Sequence, residues 1–380
     1  GYLETMTMKL HDVLAGLREV APEALAEPWD KVGLHLGDPE QAVSRGLLCI
    51  DLTEAVVAEA VKKKCELVVA YHPPIFEPIK RLTDDGPWTQ RRILAAARAN
   101  LAVYSPHTAL DAAKHGVCDW MCMLISDSNG EGRPIVVKTP PRDEFKVVVF
   151  VPEDHEVAVR EAMSKFGAGG IGNYRECSFS TAGTGGFRPM VGANPVIGKA
   201  GRREEVAERR LEMLVPGDKL ADVLLELRGT HPYEEPAYDV FKLEPEPAVA
   251  ADQVGTGRVL ELIQAISPDA LAASFAQLPE TVIKLGHRGV KRIKRVAVCP
   301  GAGGSLFEGV EADAYVTGEM QHHQVLDLVQ RGKVVVLLGH TASERPYLPI
   351  YRGLIQKTAA KGVKWSVSRA DRAPLTLHDA

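Results

Sequence analysis

Short apolar runs that end in polar residues and alternate with helical segments most constrain how this sequence can fold. Residues 312–346 contain two such runs, Ala314–Thr317 and Val334–Leu338, with a helix-like segment between them. The second run is followed by His340, and Glu344 comes four residues later. A polar residue just past a buried strand points into the crevice at the carboxyl edge of a parallel sheet, where α/β proteins place their sites. This stretch therefore predicts an α/β body with a polar site at its sheet edge.

The first third of the chain repeats this pattern. The apolar run Leu67–Ala70 leads directly to His72, and the run Leu101–Tyr104 leads to His107 and Asp111. Strands that are apolar throughout and separated by helices are typical of a parallel sheet covered on both faces. We therefore predict that both ends of the chain contribute to one α/β body with mostly parallel sheets.

The composition changes twice along the chain, at KTPPRD (138–143) and at EPEPAVA (244–250), and both segments are typical of linkers. Between them the predicted order of elements is β-α-β-β-α-β, which is the ferredoxin-like arrangement. The sequence therefore predicts a body built from residues 1–138 and 248–380, interrupted by an α+β insert at residues 139–247.

Four of the side chains that follow predicted strands, His72, Asp111, His340 and Glu344, supply two imidazoles and two carboxylates. That set suits zinc, iron or manganese better than magnesium or calcium. A single histidine after a strand is more often a hydrogen-bonded turn residue, but three such segments in one crevice favour a metal site. Bridging carboxylates would allow two ions about 3.5–4 Å apart with a water between them as nucleophile. Candidates for supporting or additional ligand roles are His107, Glu319, His322 and His323. Adjacent histidines on a helix face different ways, so we expect only one of His322 and His323 to reach the site.

Three further segments have simpler interpretations. The glycine-rich residues 300–305 could hold a phosphate at a helix N-terminus, but they match neither nucleotide-binding fingerprint, so a tight turn with close backbone approach is favoured. Residues 231–236 (HPYEEP) resemble a ligand cluster, and their prolines favour a structural turn. The basic segment 284–295 has no interleaved aromatic residues and is interpreted as a solvated loop.

Charge and hydropathy exclude several classes of protein. The net charge of −5 and the pI near 6.2 give no electrostatic reason to expect a nucleic acid or an anionic membrane as partner. No apolar run reaches the roughly 20 residues that a membrane helix needs, and the start has no signal-peptide pattern. We expect a cytoplasmic protein.

Five motifs in order along the chain are characteristic: YHPPIF (71–76), SPHTALDAA (105–113), GAGGS (301–305), ADAYVTGEMQHH (312–323) and GHTASERP (339–346). Together they resemble the Nif-three-like family, whose members are often named GTP cyclohydrolase I type 2 homologues. Residues 27–34 (EPWDKVGL) are also similar to an N-terminal segment of that family.

This resemblance implies a toroidal homohexamer with a dinuclear metal centre in each subunit and, in longer members, an insert similar to PII and CutA-like proteins. HPYEEPAYD (231–239) resembles a motif of that insert. The ligands carried over by position are His72, Asp111, His340 and Glu344. Tyr71 stands where the family usually has a histidine, so either the Tyr71 oxygen is a ligand or one ion is held by fewer protein groups. Lys31 also replaces the usual asparagine.

Two functions stay open at this point. One is a metal-dependent hydrolase of the GTP cyclohydrolase I type 2 kind, with metal-activated water as nucleophile and His107 and Glu319 as acid–base candidates. Its substrate would be a small molecule, with a nucleotide as one candidate. The alternative is a non-catalytic metal-handling or regulatory scaffold whose PII-like insert senses a ligand.

Overall fold

The structure is a computed structural model that describes residues 7–126, 128, 130, 132–138, 144–172, 174–244, 254–279 and 281–375. Residues 139–143 and 245–250, which make up most of the two predicted linkers, lie outside the described residues. The chain forms two compact units, one from residues 1–140 and 248–380 and the other from residues 141–247.

Strands are numbered in chain order. They are β1 (Met8–Lys9), β2 (Gly33–Leu36), β3 (Ala42–Val43), β4 (Arg45–Cys49), β5 (Leu67–Ala70), β6 (Ala102–Ser105), β7 (Val136–Lys138), β8 (Glu144–Pro152), β9 (Ser178–Phe187), β10 (Glu204–Pro216), β11 (Tyr238–Lys242), β12 (Val254–Thr256), β13 (Arg258–Ile266), β14 (Lys284–Gly286), β15 (Ile293–Cys299), β16 (Ala314–Thr317), β17 (Val334–Leu337) and β18 (Lys364–Val367).

Helices are numbered in the same way. They are α1 (Leu10–Val20), α2 (Glu54–Lys62), α3 (Trp88–Arg98), α4 (His107–Ala112), α5 (Val117–Leu124), α6 (Glu156–Lys165), α7 (Leu220–Thr230), α8 (Pro268–Ala273), α9 (His322–Gln330) and α10 (Leu348–Ile355).

The first unit contains two five-stranded sheets. One has the order β18-β4-β5-β6-β2, in which only the β2–β6 pairing is antiparallel. The other has the order β13-β15-β16-β17-β14, with a parallel centre and antiparallel edges. All four residues of each of β5 and β16 are buried, as expected for central strands of a sheet that is covered on both faces. The prediction of an α/β body is therefore confirmed, and five of the eight strand pairings in these two sheets are parallel.

Two features of the second sheet differ from the sequence predictions. Residues 284–295 are not a solvated loop, because β14 lies within them and pairs with β17. Strand β13, which the sequence analysis did not identify, pairs with β15 and is interrupted by a register shift. Both strands lie at the edges of the sheet, where charged side chains are tolerated and the continuous apolar pattern of a central strand is lost.

The second unit follows the order β8-α6-β9-β10-α7-β11 and forms one antiparallel sheet in the order β11-β8-β10-β9. This is a ferredoxin-like connection of elements. Its core joins α6 and α7 to alternate residues of β8 and β10, including Val147, Val149 and Leu211. The proposed kinship with PII and CutA-like proteins stays a prediction.

None of the helices among the described residues is both long enough and apolar enough to span a membrane. The expected cytoplasmic location stays a prediction.

Candidate metal centre

The candidate site is assembled from the carboxyl ends of strands in both sheets of the first unit. His72 lies two residues after β5 of the first sheet, and His340 lies three residues after β17 of the second. Backbone hydrogen bonds fix the segments between these strands and the two histidines. His72 N donates to Ile50 O (3.0 Å), and Gly339 N donates to Gly318 O (3.0 Å). The strand-end pattern therefore identifies the correct edges, and the two edges belong to different sheets.

His72, His340 and Glu344 converge there. One nitrogen of each imidazole and a carboxylate oxygen all lie within 4.8 Å of one another. His72 Nε2 is 3.4 Å from Glu344 Oε2, and His340 Nε2 is 3.4 Å from Glu344 Oε1. The carboxylate of Glu344 is thus placed between two imidazoles, and these three residues are called the triad below.

Both imidazoles of the triad have their other ring nitrogen occupied by a carboxylate. His72 Nδ1 is 3.0 Å from Asp51 Oδ1, and His340 Nδ1 is 3.4 Å from Glu319 Oε2. An imidazole that donates through Nδ1 presents the lone pair of Nε2, which is how metal-binding histidines are oriented in proteins. The two Nε2 atoms are therefore prepared as ligands.

The Glu344 carboxylate shows that the triad fits a cation. Its side chain is 3% exposed, and Oε2 has no hydrogen-bond partner among the described residues. The 3.4 Å approach of His72 brings the atoms near one another without a directed hydrogen bond. A buried carboxylate oxygen without a partner is costly, and a divalent ion would compensate it.

The surroundings also shift the protonation of His72. Burial lowers the pKa of the imidazole, but its contacts with Asp51 and Glu344 raise that pKa to about 10. Asp51 and Glu344 therefore favour a positive charge on the ring, and a cation bound at Nε2 would take the place of the proton on that nitrogen. Two histidines and a carboxylate are suitable ligands for zinc, iron or manganese.

A turn at Gly301 lets the backbone pass close to the triad. Gly301 follows β15 with φ +58°, and a Cβ atom there would lie 2.6 Å from Glu344 Oε1. Ser343 Oγ accepts a hydrogen bond from Gly301 N (2.9 Å), which fixes this turn against the residue preceding Glu344. The predicted turn with close backbone approach is thus found at Gly301, and Gly303–Phe307 forms a short 3-10 helix after it.

Asp371 connects the segment that carries Glu344 to the segment that follows β4 in the other sheet. Its carboxylate accepts hydrogen bonds from Ile50 N (2.7 Å) and from Arg345 Nη2 (2.9 Å). Arg345 follows Glu344 directly, and Ile50 lies just before Asp51. One buried carboxylate thus fixes both segments that carry site residues.

Asp111 and Tyr71 lie beside the triad and pair with each other. The Tyr71 hydroxyl donates to Asp111 Oδ1 at 2.5 Å, and both side chains are buried. Burial raises the pKa of Asp111 to about 7 although the Tyr71 hydrogen bond lowers it, and burial raises the pKa of Tyr71 as well. Asp111 does not belong to the group of closely spaced ligand atoms formed by the triad.

His107 is paired with Asp30, a residue that the sequence analysis did not single out. His107 Nδ1 lies 2.8 Å from Asp30 Oδ1, and the Asp30 side chain is fully buried. Asp30 also accepts a hydrogen bond from Thr108 N (3.1 Å). Burial would raise the pKa of Asp30, but the hydrogen bonds from His107 and Thr108 outweigh it and lower the pKa to about 2. The ionised carboxylate therefore orients the His107 ring.

The remaining candidates lie at the margin of the site. Glu319 contacts His340 Nδ1 and is largely exposed. His322 and His323 open α9, and neither belongs to the triad among the described residues. Asp51 stands two positions after β4, so its place at a strand end is visible in the sequence, but its role follows only from its contact with His72.

Two clefts adjoin the triad, and both are lined by His72, His340 and Asp51. One has a volume of about 780 Å³ and also contains Glu344, His107, Asp111, Trp29 and Trp88. The other, of about 810 Å³, contains Glu319, Lys284 and Arg372. The triad can thus be approached from an aromatic side and from a side that carries both acidic and basic groups.

Comparison with known proteins identifies the family. The sequence model of Duf34/NIF3 (NGG1p interacting factor 3) matches residues 8–374. The chain belongs to this family. Two relatives from Bacillus subtilis and Mycobacterium tuberculosis, each named GTP cyclohydrolase 1 type 2 homolog, are 34% and 36% identical to it. The first match covers 94% of this chain and 96% of the relative, and the second covers 90% of each.

A solved structure supports the same assignment. The Bacillus cereus protein related to NIF3 superposes with a TM-score of 0.76 at 30% identity, covering 98% of this chain and 99% of that chain. The resemblance inferred from the motifs is therefore confirmed for the family and for its α/β fold.

Proposed function

We propose that this NIF3-family chain is a metal-dependent hydrolase whose divalent ion, zinc, iron or manganese, is held by His72, His340 and Glu344. The observation that carries the proposal is the Glu344 carboxylate, which is buried between two imidazole Nε2 atoms and has one oxygen without a hydrogen-bond partner among the described residues. Three protein ligands with open positions are typical of catalytic metal sites. A bound ion would polarise a substrate oxygen and lower the pKa of water.

The residues around the triad support proton transfer in the same cleft. His107 lines the cleft that contains Glu344, and its ring lies 5.3 Å from the ring of His72. Asp30 occupies His107 Nδ1, so Nε2 remains to take or give a proton. We assign His107 as the general acid–base and Asp30 as the residue that positions it. Glu319, the other acid–base candidate, contacts His340 Nδ1 and suits the role of orienting that ligand.

The cleft suits a small molecule with a planar ring. Trp29 and Trp88 line it and are 55% and 50% exposed. The Arg92 guanidinium lies over the Trp88 ring at 4.5 Å. Exposed indole rings beside a cleft are well suited to stack on an aromatic ligand. In the other cleft, Lys284 and Arg372 form no ion pair with any described residue and would favour an anionic group, beside the carboxylates of Asp51 and Glu319. A nucleotide combines both features.

Turnover tests this proposal. Metal-loaded protein is assayed against GTP, other nucleotides, phosphodiesters and simple amides. His107→Gln is expected to lower kcat by roughly 10²–10⁴-fold, the usual contribution of a general acid–base, without changing metal content. Asp30→Asn is expected to lower kcat and to shift the pH profile of kcat, because the imidazole loses its charged partner. The exposed Glu311→Gln is the control.

Absence of turnover with every substrate class would contradict the hydrolase assignment and favour the second candidate, a metal-handling scaffold with a ligand-sensing insert. One observation supports that candidate. The second unit contains a cleft of about 450 Å³ lined by Phe150, Phe187 and Glu208, where Glu208 is 9% exposed and accepts a hydrogen bond from the Tyr233 hydroxyl (3.0 Å).

We also propose the toroidal homohexamer and the PII/CutA-like kinship of the insert, both on the family resemblance. The molar mass in solution, measured by light scattering for the full chain, tests the assembly. A mass near six times 41.2 kDa is expected, and a monomeric mass would contradict it.

A further inference from the structure

The pair formed by Tyr71 and Asp111 lies next to the triad but is closed by its own hydrogen bond. We infer that this chain binds a single divalent ion, at His72, His340 and Glu344, and that Tyr71 keeps Asp111 out of its coordination. The inference rests on the metal site proposed above and deepens it, because the two-ion centre implied by the family resemblance would require Asp111 as a ligand.

The Tyr71–Asp111 hydrogen bond is the first observation behind this inference. The Tyr71 hydroxyl lies 2.5 Å from Asp111 Oδ1, a short distance for a hydrogen bond between two side chains. A cation on that oxygen would face the positive end of the O–H dipole. Because Tyr71 and Asp111 are 3% and 8% exposed, water cannot readily replace the phenol as the partner of the carboxylate.

The position of the Tyr71 ring is fixed from several directions. Its plane meets His107 edge-on at 5.5 Å and is tilted against His72 at 5.1 Å. The Tyr71 backbone donates to Cys49 O (2.9 Å), and its carbonyl accepts from Ser105 Oγ (2.8 Å). The phenol therefore cannot turn away from Asp111 without disturbing the loop that carries His72.

The carboxylates of Glu344 and Asp111 thus differ in their hydrogen-bond partners. Glu344 Oε2 has no hydrogen-bond partner among the described residues, whereas Asp111 already accepts a directed hydrogen bond. Only His72, His340 and Glu344 form a closely spaced ligand group in the described part of the chain. One ion compensates Glu344, and no other buried carboxylate oxygen without a partner remains among the described residues to hold a second.

Replacing the phenol by an imidazole tests the inference. In Tyr71→His the hydrogen-bond donor becomes a potential ligand beside Asp111, whereas Tyr71→Phe removes the hydroxyl and adds no ligand. Each full-length protein is saturated with zinc, freed of excess ion by gel filtration, and measured by elemental analysis. We expect about one ion per chain for the unaltered protein and about two for Tyr71→His. Tyr71→Phe frees Asp111 but supplies no imidazole beside it, so about one ion is expected there too.

Manganese gives an independent readout. Electron paramagnetic resonance is expected to show an isolated Mn²⁺ signal for the unaltered chain and a spin-coupled signal for Tyr71→His. Asp111→Asn, made in the unaltered chain, keeps the count near one if Asp111 is not a ligand, so the inference can be tested even if Tyr71→His does not fold.

The outcomes separate the two proposals. About two ions in the unaltered protein, or loss of an ion in Asp111→Asn, would overturn the single-ion inference and leave the hydrolase proposal standing. One ion in a folded Tyr71→His would overturn the role given to Tyr71. No ion in any of the proteins would overturn the metal centre itself.

Discussion

Glu344 and Asp111 are two buried carboxylates in one cleft, and their neighbours give them different properties. Glu344 lies between two imidazole Nε2 atoms at 3.4 Å, and its Oε2 has no hydrogen-bond partner in the described part of the chain. Asp111 accepts a 2.5 Å hydrogen bond from a phenol. A buried carboxylate is therefore a candidate metal ligand only when its neighbours leave it uncompensated. Residue type and strand-end position alone do not distinguish the two.

The largest effect on zinc affinity is expected from Glu344→Gln. The substitution preserves volume but removes the charge between His72 and His340, so zinc affinity is predicted to fall by more than roughly 100-fold, the upper range for loss of an outer partner. Isothermal titration calorimetry of the metal-free protein measures it. The same change at the exposed Glu311 is the matched control, and unchanged affinity in Glu344→Gln would show that the comparison with Asp111 is misdrawn.

An intermediate effect is expected from the carboxylates that hold the Nδ1 atoms of the triad. Asp51→Asn should weaken zinc binding by roughly 10- to 100-fold. Glu319→Gln should weaken it less, because Glu319 is 3.4 Å from His340 Nδ1 and 60% exposed, whereas Asp51 is 3.0 Å from His72 Nδ1. Competition with a colorimetric chelator gives both affinities. A larger loss for Glu319→Gln would reverse the proposed importance of the two partners.

The smallest effect on zinc binding is expected from a change at Glu59. This carboxylate is not part of the triad and is held by several hydrogen bonds. It accepts from Arg369 N (3.0 Å) and Ala370 N (2.9 Å), next to Asp371. Burial raises the pKa of Glu59, but hydrogen bonds from Lys63, Ser368 and these amides lower it to about 2, from an ordinary value of 4.5.

Because the folded-state pKa of Glu59 is depressed, its stabilising contribution is complete above about pH 4.5 and disappears as the pH falls towards about 2. Glu59→Gln should therefore lower Tm at pH 7, and the difference from the unaltered protein should shrink below pH 4.5. Calorimetry at several pH values measures this. A difference that grows on acidification, or a loss of metal, would contradict the assignment of a purely structural carboxylate.

The positions of the candidate ligands at strand ends could be predicted from the sequence, because strand ends are encoded by local sequence patterns. Apolar runs followed by His72 and His340 placed both ligands at sheet edges, and the spacing to Glu344 placed the third. Asp30 and Asp51 were missed because their roles depend on His107 and His72, which are 77 and 21 residues away in the chain. The Tyr71–Asp111 hydrogen bond likewise depends on a tertiary approach across 40 residues. The edge strands β13 and β14 were missed because they lack the continuous apolar pattern.

The central claim is that His72, His340 and Glu344 hold the metal ion. Anomalous X-ray diffraction at the zinc absorption edge, from crystals of zinc-loaded protein, tests it most directly. One strong peak is expected within coordination distance, about 2.0–2.2 Å, of the Nε2 atoms of His72 and His340 and of the Glu344 carboxylate. A peak centred on Asp111, or no peak within reach of the triad, would contradict it.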